Sequence, residues 1–323
     1  MTSSYIEQIE QSIFSAIASA QLPPALAEPV TYALTSGGKR LRPLITVLAA
    51  QASGASVESA IPVATAIEIL HNFTLVHDDI MDRSPLRRGK QTVYTRWDEA
   101  TAILAGDTMM GIAYNILSSA YTAPVCQSIV QEFSSAFVEV CIGQAEDLAF
   151  RTKPDVTMEE YLGMISRKTA RLFATAAVCG GIVAHASAAV LDAFRQFGTS
   201  LGIAFQVQDD MLDLFGEPEF GKQRGQDLRE GKKTFPVLAA TAAVGKEFNG
   251  VLRHYLDGQP LTDEVQIEQM AQLCTQCGVI EKARTLTDQH LDRAIAALTD
   301  ALPPSPAREE LIAIANRTRN RRL

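Results

Sequence analysis

The stretch LVHDDIMD at residues 75–82 closes a long apolar segment with three aspartates, and the pattern Asp-Asp-x-x-Asp returns at residues 209–213. On an α-helix the first and last Asp of each motif lie four positions apart, so their carboxylates share one face. Such clustered carboxylates repel one another, and a cation relieves that repulsion. Hard oxygen donors suit Mg²⁺, which also binds substrate phosphates. A single motif is often only an exposed acidic helix face, whereas two motifs in apolar segments favour a metal-dependent site.

The composition is that of an ordinary globular protein. The chain has 323 residues, of which 47% are apolar and 20% charged, and its net charge is −8. The negative charge argues against nucleic acid as a partner. Five cysteines, an odd number, do not resemble a disulfide framework and indicate a reducing compartment. We therefore expect a cytoplasmic location.

Neither a leader nor a membrane span is predicted. The first residues lack a charged start followed by an apolar run, so we expect no signal peptide. No stretch approaches the roughly 20 apolar residues of a membrane span. Cys274 and Cys277 form an isolated CxxC without a second Cys or His pair nearby, so a packed pair is favoured over zinc.

Helical periodicity runs through most of the chain. The predicted helices cover residues 4–20, 25–35, 44–52, 59–83, 98–120, 124–150, 187–215 and most of 237–322. Thr157 followed by Glu160 has the pattern of a capping box, so another helix begins there. No convincing alternating strand is present. The sequence therefore predicts one all-α domain over residues 1–323, with roughly a dozen helices.

Basic residues are concentrated beside glycines. In GGKRLRP, residues 37–43, two glycines let the backbone approach a ligand, three cations follow, and Pro43 suits a helix start where anions are favoured. Arg87, Arg88 and Lys90 follow the first acidic motif within ten residues. Residues 216–236 combine glycines with charges and lack periodicity, so we interpret them as a charged loop and a candidate lid. Taken alone, the loop at residues 37–43 is equally well explained as a solvated basic turn.

Together these patterns indicate chemistry on a ligand with concentrated negative charge. The sequence has no Walker loop, no G-x-S-x-G and no evident catalytic triad. A reaction in which metal ions and cations withdraw a diphosphate, leaving a carbocation in an apolar cavity, accounts for the residues better.

The sequence closely resembles the trans-isoprenyl diphosphate synthases, or polyprenyl synthetases, over nearly its whole length. The resemblance rests on seven motifs in order: GGKRLRP 37–43, LVHDDIMD 75–82, RRG 87–89, GQAED 143–147, KTA 168–170, FQVQDDMLD 205–213 and GKQRGQDLREGKKTFP 221–236. The resemblance implies a helical bundle around a deep central cavity. It also implies a homodimer without an integral membrane segment.

The resemblance also implies a metal region and a catalytic set. Asp78, Asp82 and Asp209 resemble ligands of three Mg²⁺ ions, with Mn²⁺ as a substitute. The wider predicted metal region comprises Asp78, Asp79, Asp82, Asp147, Asp209, Asp210 and Asp213. The predicted catalytic set comprises Asp78, Asp82, Asp209, Lys168 and Arg87.

Two diphosphate sites follow from the same resemblance. The residues that match contacts to isopentenyl diphosphate are Lys39, Arg42, His71 and Arg88. Those that match contacts to the allylic diphosphate are Arg87, Lys168, Lys222 and Lys232. Thr169, Gln206 and Asp147 match polar groups near the reacting carbons. His71, taken alone, is more typical of a packed, hydrogen-bonded histidine in an apolar helix, and its position on the Asp face indicates a ligand contact.

Product length is expected to depend on the residues just before the first acidic motif. Phe73 and Thr74 lie five and four positions before Asp78. One aromatic at the fifth position resembles short-chain geranylgeranyl diphosphate synthases, whereas two resemble farnesyl diphosphate synthases. On an ideal wheel Thr74 and Leu70 lie nearer the Asp face than Phe73 does. If Phe73 turned away, Leu70 would be the next barrier and farnesylgeranyl diphosphate the product.

Three function classes stay open at this point. The first is a prenyltransferase that condenses isopentenyl diphosphate with a five- to fifteen-carbon allylic diphosphate, giving geranylgeranyl diphosphate or a neighbour in length. The second is a terpene cyclase, which would leave the isopentenyl diphosphate residues unexplained. The third is a non-catalytic regulatory subunit, in which we would expect one acidic motif to be lost.

Overall fold

The structure is a computed structural model that describes residues 2–216, 224–245 and 250–320. Its α-helices are α1 Thr2–Ser19, α2 Pro24–Thr35, α3 Leu41–Ala52, α4 Val57–Met81, α5 Val93–Arg96, α6 Glu99–Ala120, α7 Val125–Phe150, α8 Met158–Ile165, α9 Arg171–Val183, α10 Ala188–Phe215, α11 Gln226–Arg229, α12 Phe235–Val244, α13 Val251–Leu256, α14 Glu264–Gln276, α15 Val279–Ala301 and α16 Pro306–Arg319. The prediction of an all-α fold is confirmed.

Two short elements interrupt the α-helical pattern. A π-helical segment, Ser166–Ala170, connects α8 to α9. Strand β1, Leu86–Arg87, pairs antiparallel with β2, Lys90–Gln91. The expectation that no strand occurs is therefore wrong at this hairpin, where Gly89 has φ of 73° and allows the tight turn.

Side-chain caps fix several helix starts. The Ser56 hydroxyl accepts a hydrogen bond from the Ser59 N–H at 3.3 Å before α4. The predicted capping box is present before α8, because Thr157 Oγ1 accepts from the Glu160 N–H and Glu160 Oε2 accepts from the Thr157 N–H. These bonds satisfy N–H groups that a helix start leaves unpaired.

Within the described part of the chain, three helices are long and apolar enough to cross a membrane by length and composition alone: α4, α6 and α7. The expectation that no segment reaches this length is therefore wrong. The most apolar window of α4 is 67% buried inside the protein, that of α6 44%, and that of α7 22%. Most of the apolar surface of α4 thus packs against protein, whereas α7 leaves much of its surface exposed.

The chain divides into two compact units. The first comprises Met1–Phe137, Leu172–Gly198 and Ala296–Ala313, and the second Val138–Arg171, Thr199–Ile295 and Ile314–Leu323. In the first unit, α4 is buried on nearly all sides, including the polar Glu68 and Asn72. A helix that is apolar all round belongs in a core. The first acidic motif thus ends a helix that its surroundings hold firmly.

The second unit has its own core, to which α8, α10, α12 and α14 contribute. Tyr161, Phe235 and Tyr255 are among its largest buried side chains. Cys274 lies fully buried in this core, and burial raises the pKa of its thiol to about 12. The second acidic motif lies near the end of α10, in the same unit.

Candidate active site

In the first acidic motif Asp79 and Asp82 are both buried, and Asp79 is held by a basic side chain. Asp79 is 4% exposed, and the Arg87 Nε–H donates a hydrogen bond to its Oδ1 at 2.6 Å. Burial raises the pKa of Asp79 to about 6, against the lowering effect of Arg87. Arg87 Nη2 also lies 3.9 Å from the Oδ2 atom of the half-buried Asp78. The β-hairpin that carries Arg87 thus neutralises part of the motif.

A basic cluster lies in the same unit. The Arg42 Nη1–H donates to His71 Nε2 at 3.2 Å, and the Arg42 guanidinium stacks over Phe173, 4.2 Å from the ring centre. Burial and nearby arginines, Arg42 first among them, hold the pKa of His71 well below its usual value. Because a guanidinium only donates, Nε2 of a neutral His71 accepts this bond. His71 is therefore a neutral group that orients Arg42.

The GGKRLRP loop approaches the hairpin closely. Arg88 Nη1–H donates to the Gly37 carbonyl oxygen. Gly38 has a φ of 141°, which favours glycine, and a Cβ atom there would lie 2.7 Å from Arg88 Nη1. Lys39, the next residue of the loop, is exposed. Arg42, His71 and Arg88, which the sequence predicted to act together, therefore lie in one region of the first unit.

Arg40 is a residue whose role the sequence did not identify. It is 5% exposed, and its guanidinium donates to Glu68 Oε1 at 2.6 Å and to the Leu34 carbonyl oxygen at 2.7 Å. Asn72 Nδ2–H also donates to Glu68 Oε1, at 3.0 Å. The buried ion pair between Arg40 and Glu68 holds the GGKRLRP loop against α4. A lone glutamate inside the apolar run around Glu68 was the available sequence signal.

The second acidic motif also has a buried central aspartate, held differently. Asp210 Oδ2 accepts from the Tyr161 hydroxyl at 2.6 Å and from the Phe235 N–H at 3.1 Å, and Oδ1 accepts from Gln206 Nε2–H at 2.8 Å. Burial raises the pKa of Asp210 to about 7. Thr169 Oγ1–H donates to Gln206 Oε1 at 2.7 Å and extends the network. Tyr161 has no pattern in the sequence that marks it.

The flanking aspartates of this motif differ in burial. Asp213 is 8% exposed, and its Oδ2 accepts from the Asp227 N–H at 3.0 Å, which anchors the segment after residue 224. Asp209 is half-buried. Asp213 thus supports the local fold, while Asp209 keeps access to solvent.

The π-helical segment presents two predicted site residues. Lys168 Nζ donates to Asp147 Oδ2 at 2.6 Å, and Thr169 joins the Asp210 network described above. A Cβ atom on Gly143 would lie 2.5 Å from the Lys168 backbone nitrogen, so Gly143 lets α7 approach this segment. Single π-turns often occur at functional sites because they redirect side chains.

The predicted lid is described only in part. Lys222 lies outside the described residues. Lys232 is close to two acids, with Nζ 2.7 Å from Glu230 Oε2 and 3.7 Å from Asp227 Oδ1. Where it is described, the segment contains the short helix α11.

The donor chemistry fits Mg²⁺ bound jointly with a substrate. Among the described residues no three His, Cys, Asp or Glu side chains converge on a closed metal site. Mg²⁺ in phosphate-binding sites commonly takes one or two carboxylates and completes its shell with phosphate and water. The half-buried Asp78 and Asp209 offer such oxygens. Asp79 and Asp210 are committed to protein donors.

The residues predicted to set product length lie on α4. Phe73 is 7% exposed and Leu70 fully buried, while Thr74 is half-buried and its hydroxyl donates to the His71 carbonyl oxygen at 2.7 Å. The Phe73 ring lies 4.6 Å from the His77 ring and 5.3 Å from the Phe137 ring, measured between centres. Phe73 is therefore the bulky side chain here, fixed by two neighbouring rings.

An all-α fold with two aspartate motifs and basic clusters defines a class of enzyme acting on diphosphates, and comparisons with known proteins agree. A family model described as polyprenyl synthetase matches residues 23–274. The geranylgeranyl diphosphate synthase of Methanosarcina mazei is 38% identical over 91% of this chain and 89% of its own.

Solved structures give the same result. The geranylgeranyl pyrophosphate synthetase of Pyrococcus horikoshii has a TM-score of 0.91 at 34% identity, covering 99% of this chain and 97% of its own. A polyprenyl synthase of Caulobacter crescentus, complexed with calcium and isoprenyl diphosphate, has a TM-score of 0.90 at 31% identity, covering 100% of this chain and 98% of its own. The chain belongs to the polyprenyl synthetase family and is a trans-prenyltransferase.

Proposed function

We propose that this enzyme joins isopentenyl diphosphate head to tail to an allylic diphosphate and releases geranylgeranyl diphosphate. The observation that carries the product assignment is Phe73, a buried ring five positions before Asp78 with the small Thr74 beside it. One aromatic at this place resembles short-chain synthases of twenty-carbon products. One helical turn rises about 5.4 Å, close to one isoprene unit, so a single barrier sets the chain length.

Mg²⁺ is proposed as the cofactor, with three ions per site and Mn²⁺ as a substitute. Asp78, Asp82 and Asp209 would hold the ions, which when bound stabilise the charge of a departing diphosphate. Asp79 and Asp210 are proposed to support the metal ligands indirectly. Their hydrogen bonds to Arg87 and Tyr161 hold each motif in place. The calcium and isoprenyl diphosphate named for the Caulobacter relative support a cation–diphosphate site.

Isopentenyl diphosphate is assigned to the basic cluster of the first unit. His71 is neutral and holds the Arg42 guanidinium by one hydrogen bond, which leaves other guanidinium N–H donors directed elsewhere. Arg88 lies against the glycine loop, and the exposed Lys39 adds a mobile charge. A ligand with two phosphates suits this concentration of donors.

The allylic diphosphate is assigned to Arg87, Lys168, Lys222 and Lys232, and the polar groups near the reacting carbons are assigned to Thr169, Gln206 and Asp147. Asp147 holds the Lys168 ammonium group, and the Asp210 network holds the Gln206 amide. The Thr169 hydroxyl oxygen and the Gln206 amide oxygen carry the partial negative charge that would stabilise a developing allylic cation. The released diphosphate is the proposed acceptor of the final proton, so no histidine base is required.

A cytoplasmic homodimer is the proposed assembly, and residues 1–323 are proposed to act as one catalytic domain. Exposed apolar side chains support self-association, since Ile103 and Leu104 on α6 and Val138 and Ile142 on α7 are 41% to 57% exposed. Exposed apolar side chains often mark protein interfaces where they gather into a patch.

Product sizing tests this function. The purified protein is incubated with Mg²⁺, farnesyl diphosphate and isopentenyl diphosphate, and the dephosphorylated products are sized by mass. A twenty-carbon alcohol that forms only when isopentenyl diphosphate is present supports the proposal. Hydrocarbon release from the allylic substrate alone would indicate a cyclase instead, and no turnover in either arm would reject both enzymes.

A further inference from the structure

Phe73 does not keep its position by backbone geometry alone. Its ring packs edge-on against Phe137 of α7, with 5.3 Å between centres and 76° between planes, and tilts at 55° against His77 one turn further along α4. Phenylalanine rings prefer such edge-to-face contacts. All three residues belong to the first unit.

His77 is itself confined. Its Nε2 lies 3.3 Å from the Ile103 carbonyl oxygen of α6. A Cβ atom on Gly106 would lie 2.2 Å from the same Nε2, so only the missing side chain at Gly106 leaves room for the ring. The His77 ring is therefore fixed by α6 on one side and by Phe73 on the other.

We propose that Phe137, with His77 as second contact, determines product length by holding the Phe73 ring in its place. The inference rests on the proposed function, in which Phe73 closes the cavity for the growing chain. Phe137 acts through Phe73 and is thus a positioning residue. Without the Phe137 ring, Phe73 turns about its side-chain torsions and admits a further isoprene unit.

The test replaces Phe137 by leucine in the full-length protein, with farnesyl diphosphate, excess isopentenyl diphosphate and Mg²⁺. We expect the share of products longer than twenty carbons to rise about tenfold, the scale on which small changes in an apolar pocket alter discrimination. Phe133→Leu is the matched control. The Phe133 ring makes an equivalent edge-to-face contact with Tyr114, with 5.3 Å between ring centres and 75° between ring planes, and Phe133 is not one of the two residues whose rings pack against Phe73. This control should keep the wild-type length distribution.

Two further variants separate the inference from the function on which it rests. Phe73→Ala should lengthen the product, and adding Phe137→Leu to it should lengthen the product no further. Further lengthening by the double variant would show that Phe137 lines the cavity directly and would overturn the positioning role.

The remaining outcomes are also decisive. An effect of Phe73→Ala without any effect of Phe137→Leu overturns the inference and leaves the proposed function intact. No effect of Phe73→Ala removes Phe73 as the barrier, and the inference with it. Circular dichroism melts establish that each variant is folded, and His77→Ala, expected to act in the same direction, replaces Phe137→Leu if that variant is not.

Discussion

The two acidic motifs share one pattern, yet the protein supports their central aspartates by different chemistry. Asp79 is held by a cation, the Arg87 guanidinium, at 2.6 Å. Asp210 is held by neutral donors, the Tyr161 hydroxyl, the Gln206 amide and the Phe235 N–H. The two motifs therefore have the same sequence pattern, but a positive charge lies beside Asp79, whereas neutral donors contact Asp210.

This difference assigns separate tasks within each motif. In both, the central aspartate is buried and serves the protein, while Asp78 and Asp209 remain half-buried. Arg87 also approaches Asp78, so a ligand that attracts this guanidinium changes the charge balance of the first motif. The donors around Asp210 are neutral, so a ligand that attracts a cation would not change the charge around Asp210 in the same way.

The largest expected effect distinguishes the first aspartate of each motif, Asp78 or Asp209, from the second, Asp79 or Asp210. Asp78→Asn and Asp209→Asn should each lower kcat about 10²- to 10³-fold, as loss of one electrostatic contact to a developing anion does. Asp79→Asn and Asp210→Asn should lower kcat less and the melting temperature more. Steady-state kinetics and thermal melts measure both, with the exposed Asp107→Asn as control. Equal kinetic losses at all four positions would contradict the division of tasks.

Removing the cation at the first motif should come next in size. Arg87→Gln leaves the buried Asp79 without its ion pair, and we expect a loss of about 2 kcal/mol in the free energy of unfolding at pH 7. Arg87→Lys keeps the positive charge but lacks the planar guanidinium with its two parallel donors. We expect it to lose less of the free energy of unfolding than Arg87→Gln. Urea denaturation without Mg²⁺ measures both. Equal stability of Arg87→Gln and wild type would mean that Arg87 does not support Asp79.

Removing one neutral donor at the second motif should have a smaller effect. Tyr161→Phe deletes the hydroxyl bond to Asp210, while Gln206 and Phe235 continue to donate. We expect a loss of about 1 kcal/mol in the free energy of unfolding. The same denaturation series measures it. A loss larger than that of Arg87→Gln would reverse the comparison between the motifs.

The smallest predicted effect is the pH dependence that His71 gives to the free energy of unfolding. Burial and the surrounding arginines lower the pKa of His71 in the folded state, so the unfolded chain binds a proton at higher pH than the folded one. Stability from this group is present above the unfolded pKa and is lost as pH falls below it. With an unfolded pKa of about 6.5, the loss between pH 7 and pH 6 is about 0.7 kcal/mol.

His71→Gln should remove this pH-dependent part, and the exposed His254→Gln should retain it. Urea denaturation at the two pH values measures the difference between the variants. An unchanged pH dependence in His71→Gln would show that His71 is not held neutral.

The sequence predicted the helices well where apolar spacing and caps coincide. The predicted range 124–150 and the observed helix Val125–Phe150 differ by one residue at the start, and the capping box at Thr157 has the expected bonds. The π-helical segment at Ser166–Ala170 was not predicted. The shift in helical phase that one inserted residue causes cannot be recognised in the apolar spacing over five positions.

The candidate site was predictable in its charges and less so in their partners. The aspartate motifs and basic loops were evident from spacing, whereas the partners Tyr161, Arg40 and Phe137 depend on tertiary packing. Arg40 illustrates the reason, since the same GGKRLRP run contains the exposed Lys39 and the buried Arg40. Adjacent cations of one motif therefore have opposite environments, which only the packing against Glu68 decides.

The most direct test of the central claim is whether all primers converge on one product. The enzyme is given isopentenyl diphosphate, Mg²⁺ and, separately, the five-, ten- and fifteen-carbon allylic diphosphates, and the dephosphorylated alcohols are sized by mass. We predict the same twenty-carbon alcohol from every primer, because Phe73 limits the length of the product whatever the length of the primer. Products of fifteen carbons, or of twenty-five and more, would contradict Phe73 as the barrier.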